Sequence, residues 1–115
     1  MKTNIKKAQI IRSKLVKKEQ FGVIGVKTLF NTPEMEGFSA AIIELNGTNK
    51  ETMSKVSNKF YFVIEGRGKF IIDGEEFQVS PGDLVYIPKG IKYYDVGKMK
   101  LISLSHPRFT REHFK

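Results

Sequence analysis

The sequence predicts an all-β sandwich or barrel. Two observations carry this. From residue 21 onward the apolar residues fall in short runs of strand length, and Gly, Pro, Asn and Asp punctuate them. No long stretch has the 3.6-residue period of an amphipathic helix, so helices have no large part in burying the core. At 115 residues the chain has the length of one domain.

The elements follow in order. Phe21 to Phe30 is rich in Val, Ile and Phe and reads as a first strand, broken by Asn31-Thr32-Pro33-Glu34. Phe38 to Leu45 is a second apolar run, ended by the turn pair Asn46-Gly47. Residues 46–58 are polar and read as a loop leading into a short strand near Met53–Val56. Phe60 to Ile64 is a continuous apolar run, and Gly66 and Gly68 bracket the next turn. Lys69 to Ile72 and Glu75 to Val79 flank Asp73-Gly74, a pair suited to the two positive-φ positions of a type I′ turn, and this is the clearest hairpin. Ser80 to Asp83 is a turn before Leu84–Ile87, and Pro88 to Gly90 a turn before Ile91–Val96. Lys100 to Ser105 closes the sheet, Pro107 ends it, and Thr110 is placed to cap a short C-terminal turn.

The glycines and prolines are also regularly spaced. Gly47 is followed by five residues, Met53, one residue, Lys55, three residues, Lys59, six residues and Gly66. Gly82 is followed by five residues, Pro88, one residue, Gly90, two residues and Tyr93. This framework resembles the two motifs of the cupin family, motif 1 at 47–66 and motif 2 at 82–97. The resemblance implies a double-stranded β-helix, or jelly roll, over residues 21–115, with residues 1–20 as a basic arm or edge strand.

The family's metal ligands are two His, a Glu and a final His. Carried over position by position, Met53, Lys55, Lys59 and Tyr93 stand in their places. A protonated lysine repels a cation and offers it no lone pair. Methionine and neutral tyrosine suit the usual metals poorly. The expectation is therefore no metal and no cofactor. A displaced site built from His106, Asp95 or Glu44 is the weaker alternative, because it lacks a second nearby His. His113 lies in the polar tail.

Strand alternation extends the candidate list. If position 59 faces inward, so do Tyr61, Val63 and, one step on, Glu65. If position 93 faces inward, so do Ile91 and Asp95. The expected ligand-binding wall is Met53, Lys55, Lys59, Tyr61, Tyr93 and Asp95, and Lys59, Tyr93 and Tyr61 are the catalytic candidates. Inward lysines suit a carboxylate, a phosphate or a nucleotide-sugar group. Desolvation would also lower their pKa values and make an amine available as base or nucleophile. Lysines at the mouth, with their ammonium groups in water, are the competing reading.

The chain contains no cysteine, which excludes disulfides, cysteine-held zinc and a cysteine nucleophile. It shows no signal-peptide core and no apolar stretch of membrane-spanning length, so the expected location is cytoplasmic. Of the net charge of +8, +6 falls in residues 1–20. A basic arm suits nucleic acid, but this one has no interleaved aromatics, so a solvated arm is the preferred reading. Phe60, Phe62 and Ile64 would face the outside of the sheet and favour a homodimer.

Three functions follow. One is a metal-free barrel that binds a small, anionic or sugar-like molecule. The second is a metal-independent sugar or nucleotide-sugar isomerase or epimerase. The third is a dimerisation or interaction module.

Overall fold

A computed structural model describes residues 5–111. His113 lies outside them, as does most of any turn that Thr110 would cap. Seven strands make up the fold: β1 (Glu19–Phe21), β2 (Ile24–Phe30), β3 (Ser39–Thr48), β4 (Asn58–Ile72), β5 (Glu75–Val79), β6 (Leu84–Ile87) and β7 (Tyr93–His106). The order is β1-β2-β3-β7-β4-β5, with β6 also paired to β4, and every pairing is antiparallel. This is the jelly-roll barrel that the turn spacing implies. Among the described residues no helix is long and apolar enough to cross a membrane.

Two strands are longer than the sequence suggests. Gly66 and Gly68 do not end a strand, because β4 runs through both to Ile72. Likewise β7 runs through Gly97, joining the two runs expected separately at 91–96 and 100–105. The glycines sit where the two paired strands approach each other closely. Gly66 has φ +88, and a Cβ there would lie 2.1 Å from the Lys98 carbonyl oxygen. Gly97 has φ +134, and a Cβ would lie 2.5 Å from the Arg67 carbonyl oxygen. Only a residue without a side chain allows this approach and this backbone. β3 also continues past Asn46-Gly47, which pairs with Gly97-Lys98 and makes no hairpin.

The other departures are local. The expected strand at residues 21–30 is divided at Gly22, and Glu19–Phe21 folds back on it as a short edge strand. No strand forms at Met53–Val56. Thr52 makes an isolated bridge to Tyr93, and Gly90 N–H donates to the Ser54 carbonyl. The Asp73-Gly74 turn is as expected, with φ of 50 and 81.

Leu45, Val63, Phe70, Ile87, Tyr93, Met99 and Leu101 form the buried core. They come from four different strands, so the barrel closes around one apolar floor. Above this floor, the inner faces of β4 and β7 change from apolar to polar.

Candidate functional site

The site is built by alternation on two paired strands. Lys59 is opposite Ser105, Tyr61 opposite Ser103, and Val63 opposite Leu101. One inner face thus runs from buried aliphatic groups at Val63 and Leu101 to hydroxyls and an amine at the other end. Beyond Gly97 the same face of β7 carries Tyr93 and Asp95, both buried.

Lys59 is only 4% exposed. Its Nζ donates to Ser103 Oγ at 3.1 Å and to Ser105 Oγ at 2.5 Å. The rings of Tyr61 and Phe109 lie 5.4 and 5.7 Å from it. Burial lowers its pKa to about 8, because removing water penalises the ammonium form.

The two phenols meet, with 2.6 Å between the Tyr61 and Tyr93 hydroxyl oxygens. Burial holds both well above the usual tyrosine range, and the nearby Asp95 charge adds to this in each case. Ser103 works against the rise at Tyr61, and the Tyr61 hydroxyl against the rise at Tyr93. Both therefore stay protonated near neutrality and can donate. Burial also raises the Asp95 carboxyl, opposed by a bond from Asn49 Nδ2 at 3.1 Å. Amine, phenols and carboxylate thus share one interior, lined by groups that donate and accept.

The expected residues divide accordingly. Lys59, Tyr61, Tyr93 and Asp95 come together, with Val63 and Ile91 against the core. Met53 lies on the loop and, with Glu51, Thr52 and Lys92, lines a separate depression of about 330 Å³. Lys55 is exposed on the same loop. Glu65 faces solvent beside Lys100, because a β-bulge between Val63 and Glu65 shifts the alternation. His106 is exposed, and Glu44 pairs with Lys18.

These positions do not fit a metal. The amine of Lys59 occupies the interior with neutral serine partners. Among the described residues no three His, Cys, Asp or Glu side chains are grouped to hold an ion.

Four participants escaped the sequence reading: Ser103, Ser105, Asn49 and Phe109. The serines left a signal, since Ser103 and Ser105 continue the inward alternation of Met99 and Leu101. Phe109 left none. It is carried over Lys59 by a C-terminal strap, residues 107–111, pinned by several bonds. Ser57 Oγ donates to the Pro107 carbonyl at 2.8 Å, and Phe109 N–H to Ser39 Oγ at 2.8 Å. Arg108 reaches Glu36 at 3.2 Å and Asn31 at 3.0 Å.

Comparison with known proteins agrees with this architecture. A family model described as a cupin domain matches residues 42–94. The uncharacterized protein MJ1618 of Methanocaldococcus jannaschii is 28% identical over 81 residues, which is 67% of this chain and 65% of that protein. The chain thus spans slightly under two thirds of that relative. Pac13 of Streptomyces, described as a nucleoside dehydratase, superposes with a TM-score of 0.86 at 14% identity, covering 95% of this chain and 90% of the other. It has been solved with uridine in variants altered at one histidine or at one of two tyrosines. KdgF from Halomonas sp. superposes with a TM-score of 0.81 at 18% identity, covering 92% and 99%.

Proposed function

For this chain, which belongs to the cupin superfamily, we propose a barrel that binds a small hydroxyl-rich molecule, sugar- or nucleoside-like and bearing an anionic group, without a metal. The observation that carries this reading is the polar inner wall of Lys59, Ser103, Ser105, Tyr61, Tyr93 and Asp95. Lys59 supplies a cation for a carboxylate or phosphate. The phenols and serines hydrogen-bond hydroxyls, and Asp95 accepts from them. The uridine complexes of a fold neighbour support this choice of ligand class.

The test is a thermal-shift and native mass spectrometry panel of uridine, uridine 5′-monophosphate, glucose 6-phosphate and galacturonate. A saturable shift with at least one member, lost in Lys59→Met and weakened in Tyr93→Phe, is expected. No binding at millimolar concentration by any member would end the proposal.

A catalytic reading is favoured by one observation, the direct contact of two protonated phenols. A tyrosine held neutral beside a carboxylate can protonate a developing oxyanion or leaving hydroxyl. Turnover of a bound panel member that is lost in Tyr61→Phe with binding retained would establish it.

We also infer a homodimer. On the outer face Phe62, Leu84 and Tyr86 are 40, 60 and 53% exposed, and Phe60 stacks on Tyr86 at 5.1 Å. An apolar sheet face of this kind is stabilised by a second copy.

A further inference from the structure

Lys59 does more than carry charge, and the groups around it suggest what. Its Nζ has two hydroxyl acceptors, the rings of Tyr61 and Phe109 within 6 Å, and a proton donor on the adjacent inward position of its own strand. That donor, Tyr61, is backed by Tyr93 at 2.6 Å. Ser103 stands between amine and phenol, accepting from the first and favouring ionisation of the second. An amine held away from bulk water and an adjacent acid are what imine formation needs.

We propose that Lys59 is a nucleophilic amine that captures a small aldehyde or ketone, such as an open-chain sugar, as an imine inside the barrel. The inference rests on the small-molecule site above and names its substrate class as a carbonyl compound. The step needs no other reagent. The neutral Nζ attacks the carbonyl carbon, a C–N bond forms, and the carbonyl π electrons move to oxygen. Tyr61 gives that oxygen a proton and recovers one from the nitrogen, leaving a carbinolamine. The hydroxyl then departs as water, taking a further proton through the phenol pair, the nitrogen lone pair closes the C=N bond, and the phenolate left behind recovers the last proton from that nitrogen. The sum is amine plus carbonyl to imine plus water. The strap that lays Phe109 over Nζ keeps bulk water from reversing the step.

The lowered basicity of Lys59 supports this chemistry. With a pKa of about 8 against 10.5 for an ordinary lysine, its neutral fraction near pH 7 is higher by about a hundredfold or more.

The experiment treats the full chain with glycolaldehyde and cyanoborohydride at pH 7 and follows labelling by peptide mass spectrometry. Lys59 should label at least tenfold faster than the exposed lysines, and Tyr61→Phe should slow that label by roughly tenfold while leaving the others unchanged. Arg108→Ala, which removes two anchors of the strap, is run alongside so that slow entry is not mistaken for an unreactive amine. No preference for Lys59 in either the wild type or Arg108→Ala overturns the proposal. The panel of sugars and nucleosides reports separately: binding without the label keeps the ligand site and removes the imine, and the label without binding does the reverse.

Discussion

The two faces of β4 between Lys59 and Phe62 are inverted relative to an ordinary sheet. Lys59 and Tyr61 point into the barrel, while Phe60 and Phe62 point out. Only a few residues further along, Val63 and Phe70 restore the usual arrangement, both fully buried with Leu101 and Leu45. The comparison shows where stability is generated and where it is given up. The floor of the barrel is close-packed aliphatic and aromatic surface, whose burial drives folding. The polar wall carries a buried amine and a buried carboxyl, each of which costs free energy to desolvate. Stability is thus lost at the wall and recovered at the floor.

The largest expected effect lies on the floor. Leu101→Ala removes a fully buried side chain and should destabilise by about 2–5 kcal/mol, read by urea denaturation. A loss under about 1 kcal/mol would mean that the floor is not the packed region.

Lys59→Met should act in the opposite direction and with a pH signature. The native-state pKa of about 8 is below the ordinary 10.5, so between these values the unfolded chain binds more protons. Wild-type stability should therefore rise as pH increases through that window, by on the order of 3 kcal/mol in the limit, and the Met variant should lack this rise. The difference between the two stability curves, measured from pH 6 to 10.5, isolates Lys59 from the other lysines. Parallel curves would place the amine in water.

The outer face gives a smaller effect on folding and a large one on association. The double variant Phe62→Ser with Leu84→Ser should keep the monomer's fold while shifting sedimentation from dimer to monomer at micromolar concentration. Unchanged sedimentation would remove the dimer proposed for this face.

The smallest effect is expected at Asp95. Its pKa is raised by burial above 3.8, so stability falls as pH rises through the interval above that value, where the native state binds more protons. Asp95→Asn should flatten that interval and keep the bond to Asn49, and a chemical-denaturation series across the acidic range would detect it.

Much of this was legible in the residues. The turn residues pointed to an all-β barrel, and the Asp73-Gly74 hairpin follows from the φ > 0 requirement of its turn. Alternation from position 59 placed Tyr61 and Val63 inside, and alternation from 93 placed Asp95 there. It failed at Glu65, because a β-bulge adds a residue and reverses the faces, and bulges leave no reliable mark in a sequence. Glycines at 47, 66 and 68 read as turns and proved to lie within strands. Turn and close approach both demand glycine, and only the neighbouring backbone distinguishes them.

By itself, then, the chain's pattern of turns and alternation determined the fold class and, with positions 59 and 93 set inward by the resemblance to the cupin motifs, the inward placing of Tyr61 and Asp95. These depend on local backbone preference and on the period of two, which neighbouring residues specify. Tertiary structure alone decided that Lys59 is buried while Lys55 is in water, that the two tyrosine hydroxyls meet, and that Phe109 closes over the amine. Each of those contacts joins residues from 32 to 50 positions apart, and such separations are set by strand register and the bend of the barrel, which no local preference encodes.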